Sequence, residues 1–440
     1  MLENDKDVES LFDELFPLPR SITGKGYRDS LQILSRYIPF EIGRVASGSD
    51  VFDWVVPQEW VIDDAYLLAP NGDKILNFQE NSLEVLNYSE PVDKFIELDE
   101  LDKNLHSIPE HPDWIPYVTS YYKRNWGFCL THKQRLGLKP GKYHAVIKSD
   151  FIDGFVEYGY TYLRGNVGDD KTRKLVLISS YMCHPNLANN ELSGPIILAA
   201  LYRKILNWDE RKFDYLFVIN PETIGSICFL HEHGSRIKDA MQAGLVLTCL
   251  GGGHDKLSYK KSRRGDSTLD KLFTRLEHEG SCETREFDPS EGSDERQYCS
   301  AAFNLPVGQV AKTVYGSNPE YHTSADNKAF VELGQFLDTT AKIEEILKIH
   351  EYLQPLERYE PYCEIQLGKR GLYPNVNSPE NWDASSDTKI DHREQLKAIT
   401  YILSYADGNH NLVDIANLSN IPIKNLSVYA KILTKSAVLK

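Results

Sequence analysis

The chain has 440 residues, of which 41% are hydrophobic and 26% charged, and this size and composition predict a folded globular protein of two or three domains. Its net charge of −15 disfavours nucleic acid as the partner of the whole molecule, and the absence of a long apolar run or a basic-then-apolar leader predicts neither a membrane span nor a secretory signal. The seven cysteines are scattered without a CxxC pair, which argues against a disulfide framework or a zinc ribbon and favours the cytoplasm.

Two amphipathic helices are predicted at 8–15 and 27–37, where apolar residues recur at helical spacing. From about 50 to 165, short β-branched and aromatic runs separated by turns predict a β-rich domain that is inserted into, or precedes, an α/β domain. We interpret its aromatic residues as the core of this domain, and a stacking platform for a sugar or peptide is the alternative. The platform residues would be Trp54, Trp60, Tyr121, Tyr122 and Trp126.

Strand-like and helix-like patterns alternate between about 166 and 350, which is typical of a sheet covered by helices on both faces. The predicted strands are 174–180, 215–220, 244–249 and 306–310. The predicted helices are 192–208, 223–233, 267–278 and 330–352.

The polar stretch at 181–195 joins the first of these strands to the helix that follows it. Ligands of open α/β sheets bind at the carboxyl ends of strands, and His184 and Glu191 are the groups in this stretch that can do chemistry. Polar residues also collect beyond the other strands. These further clusters are Glu222 within 220–226, and the segments 251–255, 290–297 and 321–327.

A set of His, Asp and Glu side chains at several strand ends is what a metal-assisted hydrolase needs. Neutral imidazoles and carboxylates bind catalytic zinc, a water takes the open position, and a nearby carboxylate relays protons. The alternative is that a histidine at a helix start is a hydrogen-bonded structural group. Residue spacing alone leaves both interpretations open.

Seven motifs carry a resemblance to a known family over nearly the whole chain. They are 54–60, 116–122, 183–194, 220–225, 292–298, 320–327 and 369–373. The chain resembles a bacterial family of zinc-aminopeptidase-like proteins that is often encoded among surface-polysaccharide biosynthesis genes. The resemblance implies an α/β fold with a zinc-aminopeptidase-like (phosphorylase/hydrolase-like) mixed sheet covered by helices, an inserted β-rich domain, and a C-terminal helix-turn-helix or winged-helix domain.

The implied domain bounds are 1–50 with 166–375 for the aminopeptidase-like domain and 51–165 for the insertion. The C-terminal domain would occupy 385–440, after a polar linker at 375–387. Its three predicted helices, 392–405, 412–419 and 423–436, have the spacing of a helix-turn-helix. The basic bias after residue 421 is modest, so DNA is not the favoured partner, and protein contact or intramolecular packing is the alternative.

The resemblance also assigns site residues. His184 and His322 match metal-binding histidines, Glu222 matches the general base, and Asp294 matches an acidic residue beside the metals. Asn190 stands where the family's superfamily has a bridging aspartate, and Thr223 stands where it has a metal-binding acid.

These two departures remove negative charge that would hold two cations about 3.5–4 Å apart. One zinc is therefore expected, held by His184, His322 and an acid such as Asp294 or Glu191, with Asn190 nearby. A fold that has lost its metal is the alternative.

A further prediction concerns the substrate. Arg264, Arg296 and Tyr321 are expected to bind it, with surface ion pairs as the alternative for the arginines. Three functions remain open: an amide hydrolase acting on a small peptide, amino-acyl or sugar-derived substrate, a metal-free binding protein, and a ligand-sensing DNA-binding regulator. A homo-oligomer also remains open.

Overall fold

A computed structural model of the protein describes residues 2–373 and 392–440, so the linker predicted at 375–387 lies outside the described residues. The chain divides into two compact units. Unit 1 comprises Met1–Gly265 and Arg285–Lys342, and unit 2 comprises Asp266–Thr284 and Ile343–Lys440. Within the described ranges no helix is long and apolar enough to cross a membrane.

The strands are β1 (Glu41–Ala46), β2 (Asp50–Val51), β3 (Trp54–Val55), β4 (Glu59–Leu68), β5 (Lys74–Asn77), β6 (Val92–Glu97), β7 (Leu105–His106), β8 (Phe128–Cys129), β9 (Lys142–Ile152), β10 (Phe155–Leu163), β11 (Leu175–Tyr181), β12 (Asp214–Asn220), β13 (Met241–Leu247), β14 (Leu257–Lys260), β15 (Cys282–Arg285) and β16 (Val307–Ala311). The α-helices are α1 (Asp5–Leu15), α2 (Lys25–Leu34), α3 (Leu98–Leu101), α4 (His132–Gly137), α5 (Ser193–Leu206), α6 (Ile224–Lys238), α7 (Thr268–His278), α8 (Glu295–Tyr298), α9 (Lys328–Val331), α10 (Phe336–His350), α11 (His392–Tyr405), α12 (Leu412–Ser419) and α13 (Ile423–Lys435).

Unit 1 is built on a mixed sheet in which seven strands lie in the order β1-β10-β12-β11-β13-β16-β14. The central strands β11, β12, β13 and β16 are parallel, and β1, β10 and β14 pair antiparallel with their neighbours. Every residue of β11 and β12 is buried. Strands covered on both faces have continuous apolar runs, which is why the four predicted parallel strands are confirmed.

Two predicted helices differ from the structure. The helix predicted at 330–352 is interrupted, because Glu332 has a left-handed backbone (φ 49°) and a 3₁₀ turn at Leu333–Gln335 separates α9 from α10. The helix predicted from Thr223 begins at Ile224, because Thr223 has φ 65° and ψ −74°. Apolar periodicity continues across such breaks and does not reveal them.

A second sheet of four antiparallel strands, in the order β5-β4-β9-β6, accounts for much of the predicted β-rich segment. The last strand in that segment, β10, instead pairs with β1 and β12 of the main sheet. Trp60 is buried against Tyr88, as the core interpretation predicts. Trp54 and Tyr122 are different, because they are 38% and 56% exposed and contact one another edge to face.

In unit 2 the helices α11, α12 and α13 confirm the three predicted C-terminal helices within one residue. A capping box formed by Asn411 and Asp414 begins α12, and Asn420 ends it in the left-handed conformation (φ 54°). Pro422 then precedes α13. A proline is tolerated at this position because the first backbone N–H groups of a helix have no acceptor within the helix. The turn chemistry therefore fixes the helix-turn-helix.

We expect the stability of the chain to fall as the pH falls, in part because of His350. This residue is fully buried in unit 2, its Nε2 lies 2.8 Å from Thr268 Oγ1, and burial lowers the pKa of His350 to about 4. An unfolded histidine titrates near pH 6.5, so the unfolded state binds more protons between about pH 6.5 and 4, and stability that is complete above pH 6.5 is lost in this window. From pH 7 to pH 5 the contribution of His350 to the free energy of unfolding should fall by about 2 kcal/mol.

Urea unfolding at pH 7 and pH 5 measures this effect. The variant His350→Gln should show a weaker pH dependence than wild type, whereas His278→Gln, which changes an exposed histidine of the same unit, should match wild type. An unchanged pH dependence in His350→Gln would contradict the assignment.

Candidate active site

His184 lies in the connection between β11 and α5 and is held by a buried chain of polar contacts. Its Nδ1 is 2.8 Å from Glu191 Oε2, and Glu191 Oε1 is 3.1 Å from Arg20 Nε, with all three side chains at most 5% exposed. Arg20 Nε also lies 3.0 Å from the carbonyl oxygen of His184. A carboxylate bound to one ring nitrogen fixes the tautomer and leaves the other nitrogen as an acceptor. Nε2 of His184 is therefore the atom available for chemistry.

Glu222 follows the carboxyl end of β12. Its Oε1 accepts a hydrogen bond from Ser293 Oγ at 2.6 Å, and its Oε2 lies 3.7 Å from His184 Nε2. The side chain is 21% exposed, so the carboxylate can be reached by a ligand. Glu222 and His184, from the ends of two neighbouring parallel strands, thus face each other.

Asp294 holds the backbone next to Glu222. Its Oδ1 accepts hydrogen bonds from the backbone N–H of Thr223 at 2.7 Å and from Ser226 Oγ at 2.9 Å, and its Oδ2 accepts one from Asn220 Nδ2 at 2.7 Å. Thr223 is a β-branched residue with positive φ, a conformation that persists only where surrounding contacts enforce it. The hydrogen bonds to Asp294 hold Thr223 in this conformation. The buried carboxylate of Asp294 therefore positions the neighbouring Glu222.

His322 comes from the polar segment beyond β16. Its ring stacks on Tyr321 with centroids 3.9 Å apart, and its centroid lies 5.2 Å from that of His184. Tyr117 packs against both imidazoles, at 4.8 Å from His184 and 5.3 Å from His322. The Nε2 atom of His322 is buried and has no hydrogen-bond partner among the described residues. An unpartnered buried nitrogen can accept a hydrogen bond from a water or a ligand, or bind a metal ion.

Asn190 supplies a second buried atom without a partner. Its Nδ2 donates to Tyr181 Oη at 2.6 Å, and its backbone N–H donates to Asp326 Oδ2 at 2.9 Å. Its Oδ1 has no hydrogen-bond partner within the described ranges. Amide oxygens are neutral metal ligands, so this atom adds no charge to the site.

Burial dominates the electrostatics of the site. It raises the pKa of Glu222, and together with the negative charge of Glu222 it raises the pKa of Asp294 to about 7. It lowers the pKa of His322 to about 3. Burial also opposes a charge on His184, but Cys183 and Glu191 outweigh it and hold the pKa of His184 above its usual value. The Glu191 carboxylate therefore favours a proton on His184, and a metal ion bound at Nε2 would take the place of that proton.

The separation of the two imidazoles fits a single metal ion held by both. Two imidazoles bound through Nε2 to one tetrahedral zinc at about 2.0–2.1 Å have ring centroids about 5 Å apart, close to the separation of His184 and His322. The ligand atoms of Cys183, His184 and Glu191 lie within 4.8 Å of one another and form the one such group in the described part of the chain. In this group Glu191 already binds Arg20 and the Nδ1 atom of His184, and burial raises the pKa of the Cys183 thiol to about 11. His322, whose Nε2 has no partner among the described residues, is therefore a better candidate than Glu191 or Cys183 to share a metal ion with His184.

The structure places the three predicted substrate-binding residues differently. Tyr321 stacks on His322, and the positive charge of Arg296 partly offsets the rise that burial causes in the pKa of Glu222, so both belong to the surroundings of the site. Arg264 lines a cavity with Met241 and Pro306, at the amino ends of β13 and β16. This is the opposite end of the parallel strands from His184, so the fold does not bring Arg264 to the site.

Sequence reasoning missed Arg20 and Ser293 as parts of the site. Arg20 contacts Glu191 across 171 positions of the chain, and Ser293 contacts Glu222 across 71. An isolated arginine after a proline and a serine in a polar loop carry no local signal of such contacts. For Ser293, its place within the motif 292–298 was the available signal.

Comparisons with known proteins show the family and the fold of the chain. Residues 9–352 match a family described as a domain of unknown function, DUF4910, and residues 354–440 match a winged helix-turn-helix family. A protein of Clostridium acetobutylicum, provisionally named a polysaccharide biosynthesis protein with an aminopeptidase-like domain, is 39% identical over 440 residues, which cover 100% of this chain and 97% of that protein.

Two solved structures show the same fold. The crystal structure of a protein from Clostridium acetobutylicum, provisionally named a peptidase, is 37% identical and has a TM-score of 0.87 over 99% of this chain and 96% of that chain. A zinc aminopeptidase from Bacillus subtilis has a TM-score of 0.56 at 9% identity, over 77% of this chain and 94% of that chain. The implied mixed α/β fold of aminopeptidase type with a C-terminal winged helix is confirmed. The chain belongs to the DUF4910 family.

Proposed function

We propose that the protein is a zinc-dependent amide hydrolase of the aminopeptidase type that acts on an amino-acyl, peptide or sugar-derived substrate during the assembly of a surface polysaccharide. One observation carries the proposal: Nε2 of His184 lies 3.7 Å from the carboxylate of Glu222, and the ring of His322, whose Nε2 has no partner among the described residues, lies 5.2 Å from that of His184 between centroids. The names of the relatives from Clostridium acetobutylicum and Bacillus subtilis support amide hydrolysis and a polysaccharide context.

In this proposal His184 and His322 would hold one zinc ion through their Nε2 atoms, and Asn190 Oδ1, a buried oxygen without a partner among the described residues, would be a third ligand. Glu191 and Asp294 are assigned to positioning, because their oxygens already accept hydrogen bonds from His184 and Arg20, and from Thr223, respectively.

A bound zinc ion supplies a Lewis acid that polarises an amide carbonyl and lowers the pKa of water. Glu222 takes a proton from the attacking water while the water oxygen forms a bond to the carbonyl carbon. Glu222 then delivers that proton to the amide nitrogen when the C–N bond breaks. The raised pKa of Glu222 brings this carboxylate closer to the pH at which it can both accept and donate. Ser293 Oγ orients Glu222 by its hydrogen bond to Oε1.

Elemental analysis of protein purified without a metal-affinity tag tests the proposal. Wild type should contain about one zinc per chain, and the variants His184→Ala and His322→Ala should each lose it. His231→Ala, which changes a partly exposed histidine of α6, is the matched control and should keep the metal. No zinc in wild type after incubation with zinc would overturn the hydrolase and leave a metal-free binding site, and full zinc in either His variant would overturn its role as a ligand.

A further inference from the structure

A cavity of about 240 Å³ opens in unit 1 between the segment that follows β3 and the loop at 120–124. Its wall combines tyrosine rings with amide and hydroxyl side chains, among them Tyr88, Tyr121, Tyr122, Gln58 and Ser120. Tyr122 is 56% exposed and makes an edge-to-face contact with Trp54, which is 38% exposed. Exposed aromatic rings beside hydrogen-bonding groups are typical of a ligand site rather than of a core.

The charged residues in the wall are both cations, Lys123 and Arg124. A wall with two cations and no acidic residue differs from the chain as a whole, which has 64 acidic and 49 basic residues. Arg124 is held in place, because its guanidinium lies 3.4 Å from the ring centroid of Phe151 and its Nη2 donates to Gln58 Oε1 at 2.7 Å. Lys123 is exposed, and its Nζ has no acidic partner within the described residues. The cavity therefore presents a positive charge that the protein itself does not neutralise.

The cavity adjoins the candidate active site through two tyrosines. Tyr121 lines the cavity, and its hydroxyl is hydrogen-bonded to that of Tyr117. The ring of Tyr117 packs against His184 at 4.8 Å and against His322 at 5.3 Å. The cavity is thus linked to the two imidazoles through the side chains of Tyr121 and Tyr117.

We infer that this cavity binds an anionic sugar unit. A pyranose ring has an apolar face of C–H groups that packs on aromatic rings, and its hydroxyls can bond to Gln58 and Ser120. A negative group on the sugar, either the carboxylate of a uronic acid or a phosphate, pairs with Lys123 and Arg124. The inference rests on the proposed function, whose substrate class it names as an acidic saccharide.

Saturation-transfer NMR and titration calorimetry with glucuronic acid, glucose 1-phosphate, glucose and the peptide Ala-Glu-Ala test this inference. We expect wild type to bind one or both anionic sugars more tightly than glucose, and the two anions distinguish a carboxylate from a phosphate. Lys123→Gln should weaken anionic sugar binding about fivefold, and added salt should do the same. Tyr122→Ala should weaken sugar binding roughly fivefold to tenfold. Lys103→Gln and Phe95→Ala, at exposed positions outside the cavity wall, should match wild type.

Absence of saturable sugar binding, equal binding of glucose and the anions, or binding of the peptide alone would each overturn the inference. The same titrations on His184→Ala separate the sugar subsite from the proposed hydrolase, because this variant should lose the zinc ion and still bind the sugar. Sugar binding without zinc in wild type would overturn the hydrolase and retain the subsite, whereas zinc in wild type without sugar binding would overturn the subsite and retain the hydrolase.

Discussion

In the proposed hydrolase, replacing Glu222 with Gln is expected to lower the rate of amide hydrolysis by about 10²–10⁴-fold without loss of the proposed zinc ion. The amide has nearly the shape of the carboxylate and can keep its hydrogen bond to Ser293, but it cannot take a proton from water. The rate is measured on aminoacyl p-nitroanilides and N-acetylated amino sugars, and bound zinc by elemental analysis. The variant should therefore show a lower hydrolysis rate at an unchanged zinc content.

Glu232→Gln is the matched control, because Glu232 is an exposed residue of the helix that follows Glu222, and its rate should equal that of wild type. A Glu222→Gln variant that hydrolyses as fast as wild type would exclude Glu222 as the general base. If the variant lost its zinc instead, Glu222 would be a metal ligand.

Replacing Lys260 with Met is expected to destabilise the chain by about 3–5 kcal/mol. Lys260 and Glu295 form an ion pair at 3.0 Å in which the side chains are 1% and 0% exposed. Lys260 Nζ also donates to the carbonyl oxygens of Asp288 and Glu291. Its loss would leave a buried carboxylate without its counter-ion and would release the loop that carries Ser293 and Asp294 to the candidate active site.

Urea unfolding measures this cost against two matched variants. Lys261→Met removes the neighbouring and more exposed pair with Glu286 and should cost no more than about 1 kcal/mol. The double variant Lys260→Met/Glu295→Met should recover part of the stability, because it removes both buried charges. If Lys260→Met cost no more than Lys261→Met, the buried pair would not stabilise this loop.

The loop around the Lys260–Glu295 pair also explains a glycine that sequence reasoning left unassigned. Gly292 has φ 124°, and a Cβ there would collide with the carboxylate of Glu295 and approach Lys260 Nζ at 2.6 Å. Glycine is the residue that tolerates this backbone and this close approach. The motif at 292–298 thus combines a backbone requirement at Gly292 with the polar contacts of Ser293 and Asp294.

Several features of the fold could be predicted because they depend on residues that are close together in the sequence. The buried strands and most helices follow from apolar runs and periodicity, and the helix-turn-helix follows from Asn411, Asn420 and Pro422. The order of strands then places His184 and Glu222 at the same edge of the sheet. The break at Glu332 and the pairing of β10 with the main sheet could not be predicted, since neither changes the local apolar pattern.

By itself the sequence determined an aminopeptidase-like α/β chain with a C-terminal helix-turn-helix, and it selected the histidines and acids on which the proposed chemistry depends. Only the tertiary structure decided which of their atoms remain available. Glu191 is taken up by Arg20 and His184, and Asp294 by the backbone beside Glu222, whereas Nε2 of His322 has no partner among the described residues. The physical reason is that a hydrogen bond between residues as much as 171 positions apart forms only when the fold brings them within about 3 Å, and no local pattern records it.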